Sequence, residues 1–143
     1  MSSAKDELWQ VRRAANRVRR REEEIAMLES LIAGSAVKVD GLPKASSSGD
    51  KLALQVSRLV EVKESLAAEI ETFLEERERV LAVIKGIKNE NMRDVLVYRY
   101  IVGLDWEAVA EKMHYSVQHI FRLHGWALDA YRKICKMRDD ESK

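Results

Sequence analysis

The chain has 143 residues, enough for one compact domain or for a small domain with an extended helical part. Charged residues make up 34% and aromatic residues 6%, with one proline, which is typical of an all-α chain with long helices. A formal net charge of +1 excludes an overall basic character, so any contact with nucleic acid must depend on local patches.

A single cysteine, Cys135, excludes an internal disulfide framework and a cysteine-based zinc finger. The sequence has neither a recognisable leader nor an apolar run of the length that crosses a bilayer. We therefore expect a cytoplasmic protein with no membrane partner.

Residues from about Ala4 to Ala33 predict a helix, because apolar side chains recur at alternating three- and four-residue steps. An arginine-rich segment at 12–21 precedes the acidic run at 22–24. This segment is either a basic patch for nucleic acid or a solvated helix face with i,i+4 ion pairs such as Arg19–Glu23. The near balance of charges favours the solvated face.

Residues 34–50 predict a flexible linker, since they carry three glycines, the proline and a serine run. Residues 51–88 predict a long helix with a heptad seam. The seam consists of Leu52, Val56, Leu59, Leu66, Ile70, Phe73, Val80, Ile84 and Ile87. Lys63 and Arg77 fall on the same seam, where a polar residue costs stability but can fix register or partner number. We expect residues 1–88 to form a coiled-coil-like helical hairpin, with the uncovered part of the seam available for a homodimer through the long helices.

Residues 89–143 predict a separate helical module. Its first helix should begin at Asn89, a good N-cap, and end at Gly103. Arg99, near the end of that helix, reads either as a brace or phosphate contact, or as one half of a surface ion pair.

Residues 105–128 predict two short helices joined by a tight turn, the arrangement of a helix-turn-helix. Val109, Ala110 and Met113 share one face of the first helix, and Ile120, Leu123 and Ala127 share one face of the second. Ser116 suits the N-cap of the second helix, Tyr115 can staple its entry, and His114 is the candidate for positive φ in the turn.

The start of the second helix carries the predicted DNA-contacting residues Ser116, Val117, Gln118, His119, Phe121 and Arg122. We expect Val117, Gln118, Phe121 and Arg122 to point away from the buried face, with His119 on the flank. Glutamine can pair with adenine and arginine with guanine or phosphate, and Phe121 could meet a thymine methyl group.

Residues 96–110, LVYRYIVGLDWEAVA, followed by Tyr115-Ser116, resemble region 4 of bacterial sigma-70-type factors. Residues 49–51 (GDK), Trp106-Glu107, His119-Ile120, residues 122–125 (RLHG) and Ala127-Leu128 extend the resemblance to a family of small uncharacterised phage and prophage proteins. The family often has a polar or basic residue at the position of Trp126, so this chain departs from the pattern there. The resemblance implies a transcription regulator with a sigma region 4-like helix-turn-helix, acting on late or prophage promoters in a bacterial host. It implies double-stranded promoter DNA, RNA polymerase or both as partners.

No arrangement of residues typical of an enzyme stands out, so we expect no catalysis, cofactor or metal. His114, His119 and His124 lie at five-residue steps, which one helical face cannot bring together around a metal ion. Two other functions stay open. One is a small terminase-like DNA-packaging adaptor, and the other is a helical adaptor that binds protein alone.

Overall fold

The computed structural model describes residues 3–39 and 47–142, and across these ranges the chain is all-helical, as predicted. The α-helices are α1 (Ala4–Val39), α2 (Ser47–Lys85), α3 (Glu90–Leu96), α4 (Trp106–Met113) and α5 (Val117–Glu141). A π-helical segment at Val97–Val102 follows α3 directly. None of the helices in the described ranges combines the length and the apolar character needed to cross a bilayer.

The predicted linker at 34–50 is helical at both ends, which corrects its boundaries. α1 continues through Gly34 to Val39, and α2 already begins at Ser47. One glycine costs a helix only about 1 kcal/mol relative to alanine, so a helix of 36 residues tolerates Gly34. The middle of the predicted linker, residues 40–46, lies outside the described residues.

The chain divides into two compact units at places other than the predicted boundary between residues 88 and 89. One unit contains Ala15–Thr72, and the other contains Met1–Ala14 together with Phe73–Lys143. The predicted module 89–143 therefore shares its compact unit with both ends of the predicted hairpin, residues 1–14 and 73–88.

Within the unit 15–72, polar pairs join α1 to α2 in antiparallel register. The pairs are Arg21–Glu69 at 3.4 Å, Lys63–Glu29 at 3.5 Å and Ser35–Gln55 at 3.5 Å. Residue numbers rise along α1 as they fall along α2, which is the direction expected for a helical hairpin. Leu28 and Val62 are buried in this unit.

The predicted seam on α2 is only partly correct within this unit. Leu52, Leu59 and Leu66 are half-buried, but Val56 and Ile70 are exposed. Val62, which lies outside the predicted seam, is 1% exposed. The apolar face of α2 is thus wider than one heptad seam, and its buried edge is shifted from the predicted line.

The core of the other unit collects apolar side chains from all five helices. Its members are Ala4, Leu8, Val11, Val80, Val83, Ile84, Ile87, Val95, Leu96, Tyr100, Val109, Ala110, Ile120, Leu123, Ala127, Leu128 and Tyr131. The predicted inner faces of α4 and α5 are therefore confirmed. The first turns of α1 also belong to this core, where the Tyr131 hydroxyl donates a hydrogen bond to Glu7 Oε2 at 3.1 Å.

The helical segment between Asn89 and Gly103 begins and ends as predicted. Asn89 Oδ1 accepts a hydrogen bond from the Met92 amide at 3.0 Å, and Gly103 takes a left-handed φ of 91°. The π-helical geometry of its second half is not predicted. It ends where the Gly103 amide donates to the Tyr98 carbonyl, and it contains Tyr100, which is fully buried.

We expect Gly103→Ala to lower the free energy of unfolding by about 1–2 kcal/mol, because an L-residue is strained at left-handed φ. A Cβ atom at Gly103 would also overlap the guanidinium of Arg12, which would have to move. Urea unfolding followed by circular dichroism measures the change.

Gly125→Ala is the matched control for Gly103→Ala. Gly125 is helical and exposed, and nothing lies within 4 Å of an added Cβ. We therefore expect this variant to be more stable by about 0.5–1 kcal/mol. Equal responses of the two glycines would contradict the role given to the backbone at Gly103.

Candidate nucleic-acid interface

A tight turn at residues 114–116 joins α4 to α5. His114 has φ of 61°, the left-handed conformation predicted for it, and the Tyr115 amide donates to the Ala110 carbonyl at 3.1 Å. Ser116 Oγ accepts a hydrogen bond from the His119 amide at 3.1 Å, which confirms the predicted N-cap of α5. Because α4 ends and α5 begins within three residues, local hydrogen bonds set the direction in which α5 leaves the turn.

Tyr115 ties the turn to two helices. Its ring lies 4.5 Å from the ring of His119, and its hydroxyl accepts a hydrogen bond from Asn91 Nδ2 at 3.1 Å. The side chain is 38% exposed, so its contacts are with the turn and with α3 rather than with the core. It fixes the entry of α5 through polar and ring contacts, in the place where an apolar staple was expected.

The six predicted DNA-contacting residues lie at the N-cap and in the first two turns of α5, but they do not share one face. Gln118 and Arg122 are exposed and stand one helical turn apart. Val117 is half-buried and packs against the core, so the expectation that it points outward is wrong. It stands one turn before Phe121, on the edge of α5 that borders α4.

Phe121 reaches only partly into solvent. Its ring lies 5.3 Å from the ring of Trp106 in an edge-to-face arrangement, and half of the side chain remains exposed. Ser116 is exposed and uses its hydroxyl as the cap, and half-buried His119 lies between Tyr115 and Trp126. The exposed polar pair Gln118 and Arg122 is therefore the part of the predicted set that is open to a ligand.

The outward face of α5 continues from Gln118 and Arg122 to Gly125 and Asp129 at helical spacing. Gly125 leaves the helix backbone uncovered on this face. Asp129 accepts a hydrogen bond from Arg132 at 2.6 Å, which neutralises the acid locally. Among the described residues no carboxylate forms an ion pair with Arg122, so its charge is available at the surface.

Arg99 supports the N-terminal end of α4. Its guanidinium carbon lies 4.4 Å from the ring centroid of Trp106 and 5.2 Å from that of Trp9, and its Nη1 donates to the Leu104 carbonyl at 3.0 Å. Arg99 therefore acts as a brace, and the alternative of a surface ion pair is wrong. Half-buried Trp106 packs against the core, as expected of an anchor.

A buried polar pair below α5 was missed by the sequence reasoning. Tyr100 Oη and His124 Nε2 lie 2.7 Å apart, and both side chains are buried. Burial lowers the pKa of His124 from its ordinary 6.5 to about 4, with the nearby charges of Lys5 and Arg99 adding to the effect. Burial also raises the pKa of Tyr100 to about 12. At neutral pH the Tyr100 hydroxyl therefore donates to the unprotonated Nε2 of a neutral His124.

The sequence did contain a signal that His124 would be buried. It stands one helical turn from both Ile120 and Leu128, within the spacing of the buried face of α5. Of the three histidines, only His124 is buried.

The part of the chain that the structure describes holds no group of three His, Cys, Asp or Glu side chains placed to bind a metal ion. Cys135 is half-buried, and burial together with the Glu7 carboxylate raises the pKa of its thiol. A raised pKa disfavours the reactive thiolate at neutral pH, consistent with a packing role for this cysteine.

Comparison of the chain with family models, with curated proteins and with solved structures finds no match.

Proposed function

We propose that the chain is a DNA-binding transcription regulator that places the first turns of α5 in the major groove. The observation that carries the proposal is the pair Gln118 and Arg122, exposed one turn apart on a helix whose opposite face is packed into the core. An α-helix fits the major groove, and side chains near its N-terminus then reach the base edges.

The chemistry of this pair suits base recognition. The amide of glutamine can pair with both adenine N6 and N7, and the guanidinium of arginine with guanine O6 and N7. Each such bidentate contact contributes about 1–3 kcal/mol of discrimination. Because the pair lies at i and i+4 on a rigid helix, the two side chains would address neighbouring base pairs rather than one.

The positive charge of the proposed interface comes from a few groups on α5 and not from the chain as a whole. Phosphate contact would come from Arg122 itself and from the positive end of the helix dipole at Ser116. Exposed Lys133, Lys136 and Arg138 extend the basic character along α5. With an overall charge of only +1, we expect weak non-specific binding, so selectivity must come mainly from base contacts.

The resemblance to sigma region 4 supports a proposal about the host, the promoters and the partner of this regulator. We infer a phage- or prophage-encoded regulator that acts on late or prophage promoters in the bacterial cytoplasm and contacts RNA polymerase. The chain would do so without catalysis and without a cofactor. A small terminase-like packaging adaptor would use the same two helices on DNA but would form a large ring.

A protein-binding adaptor is the second candidate, because aromatic side chains are exposed beside the polar pair. Trp126 is 51% and Phe121 50% exposed, and aromatic residues are enriched in protein interfaces. These residues border the outward face of α5, so a protein partner and DNA would compete for neighbouring surfaces.

Selection from a pool of random DNA duplexes tests the proposal. We expect enrichment of a short motif that contains adenine and guanine at neighbouring positions, with affinity that falls as salt rises. Pull-down from a bacterial lysate, probed for RNA polymerase, tests the proposed contact with the polymerase. Absence of an enriched motif together with absence of polymerase would reject the regulator and leave the adaptor.

A further inference from the structure

Gly125 lies in the interior of α5, where most other residue types would favour the helix more strongly. Glycine destabilises a helix relative to alanine, because it loses more backbone freedom on folding and leaves the helix backbone open to water. The residue is exposed, so a larger side chain there would not disturb the core. The stability of α5 therefore does not explain a glycine at this place.

Packing within the described residues does not explain Gly125 either. Nothing lies within 4 Å of a Cβ atom added at Gly125, whereas at Gly86 the Val83 carbonyl oxygen and the Ile134 side chain lie 3.3–3.4 Å from such an atom. Among the described glycines, Gly103 alone has a left-handed φ, so the backbone at Gly125 is one that any residue can adopt. The remaining physical use of a glycine is close approach of another molecule to the backbone.

The bare backbone at Gly125 forms a depression in the outward face of α5. A helix with its side chains has a radius of about 5–6 Å, whereas its Cα atoms lie about 2.3 Å from the axis. Neighbouring Trp126 does not fill the depression, since its ring lies 6.4 Å from the ring of His119 and leaves the space above Gly125 open. Another molecule can therefore come closer to the axis of α5 here than at a residue with a long side chain.

The depression is aligned with the two residues proposed to read bases. Arg122 stands one helical turn before Gly125 and Gln118 two turns before it, so all three share the outward face. Seven residues rise about 10 Å along a helix, and the major groove is about 12 Å wide. A helix that reads bases with residues 118 and 122 therefore reaches the wall of the groove, which is the sugar-phosphate backbone, near residue 125.

We propose that Gly125 is the point at which the sugar-phosphate backbone of the bound duplex lies directly against α5. This role of Gly125 rests on the proposed function and adds which part of the duplex meets each turn of the helix. Bases lie at residues 118–122, and the backbone of one strand lies at residue 125. A deoxyribose packs on the bare helix backbone, and the phosphates beside it lie in the positive potential of the cationic side chains on either side.

The charges around Gly125 suit a phosphodiester chain. Arg122 is exposed on one side of the depression. On the other side Arg132 is exposed, and its Nη1 lies 2.6 Å from Asp129 Oδ1, so a guanidinium accompanies the acid in this register. The residues in line with Gly125 are polar or charged, whereas the centre of a protein interface is depleted of charge. This composition favours DNA over a protein as the occupant.

Two substitutions at Gly125 test the proposal through opposite effects on stability and on binding. Gly125→Ala and Gly125→Leu should both raise the urea concentration at the midpoint of unfolding, since alanine and leucine favour a helix over glycine. Both should weaken binding to the selected duplex in fluorescence anisotropy, and leucine more than alanine because it is larger. We expect a loss of roughly 10-fold for leucine, the size of one hydrogen bond to a charged group. The selected motif should stay the same, and the slope of log affinity against log salt should fall by about one.

Gly34→Leu is the matched control for Gly125→Leu. Gly34 is helical and exposed, with nothing within 4 Å of an added Cβ, but it lies on α1. This variant should gain stability in the same way and bind the selected duplex like the unmodified chain. Equal loss of binding in Gly34→Leu would contradict the special role of Gly125.

Full affinity of Gly125→Leu for a duplex that the unmodified chain binds, and that the double variant Gln118→Ala, Arg122→Ala does not bind, would overturn this role and leave the regulator standing. A changed motif in Gly125→Leu would place a base at Gly125 and would also overturn it. Unchanged DNA affinity with lost capture of RNA polymerase would assign the depression to a protein instead. If the unmodified chain selects no motif, the regulator and the role of Gly125 fail together.

Discussion

Replacing Gln118 and Arg122 together with alanine is expected to abolish sequence-selective DNA binding while leaving the chain folded. Both side chains are exposed, so their loss removes no core packing. Each bidentate base contact contributes about 1–3 kcal/mol, which corresponds to roughly a 5- to 150-fold loss of affinity for the selected sequence per residue. Fluorescence anisotropy with the selected duplex and with a scrambled duplex measures the loss.

The two single variants and one control separate base contact from general charge. Arg122→Ala should relax the preference for guanine, and Gln118→Ala should relax the preference for adenine, each at one position of the motif. Lys136→Ala removes an exposed positive charge farther along α5 and should weaken binding to both duplexes alike. A double variant that keeps the motif and the affinity of the unmodified chain would exclude α5 as the reading helix.

Acidification from pH 7 to pH 5 is expected to destabilise the fold by about 2 kcal/mol through His124 alone. Burial lowers the folded-state pKa of His124 to about 4, below its ordinary value of 6.5. Between these values the unfolded chain binds a proton that the folded chain excludes. The stability contributed by neutral His124 is therefore complete above about pH 6.5 and is lost as pH falls towards 4.

Urea unfolding at several pH values between 7 and 5 measures this dependence, and two variants identify its origin. His124→Gln can keep an acceptor for the Tyr100 hydroxyl but cannot titrate, so the dependence on pH should flatten. Tyr100→Phe removes the hydrogen bond at a cost of about 0.5–1.5 kcal/mol but leaves His124 buried, so the dependence should persist. An unchanged slope in His124→Gln would show that another group is responsible.

The local features of the turn region could be predicted from sequence because they depend on near neighbours in the chain. Asn89 and Ser116 cap helices through hydrogen bonds to amides three residues away, and Gly103 and His114 adopt left-handed φ at helix ends. Such signals reside in single residue types at fixed offsets. The buried faces of α4 and α5 were predictable for the same reason, since helical spacing alone defines them.

The compact units could not be predicted from periodicity. The apolar pattern of α1 is continuous, yet Leu8 and Val11 join the core that contains α3 to α5, while Leu28 belongs to the other unit. Helical spacing shows that a face is apolar, but it does not show which distant helix covers it. The same limit explains why the heptad spacing of α2 could not show that Val56 and Ile70 belong to the exposed part of the seam.

The candidate interface was partly predictable. The positions of Gln118 and Arg122 on the helix predicted that both side chains face outward, and both are exposed. Val117 and Phe121 point outward less than predicted because α4 lies beside them. The ring of Trp106, on α4, contacts the ring of Phe121 edge to face. A helical wheel gives the angle of a side chain around its own axis and carries no information about the helix beside it.

By itself, the sequence determined that the described parts of the chain are all-helical, where the helices around the turn are capped, and which face of α5 is polar. Only the tertiary structure decided that Arg99 lies between Trp9 and Trp106, that Tyr100 and His124 form a buried pair, and that the start of α1 completes the core around α5. The physical reason is the range of the interactions. Caps and helical periodicity act over a few residues, whereas these contacts join residues far apart in the chain that meet only once the helices have packed.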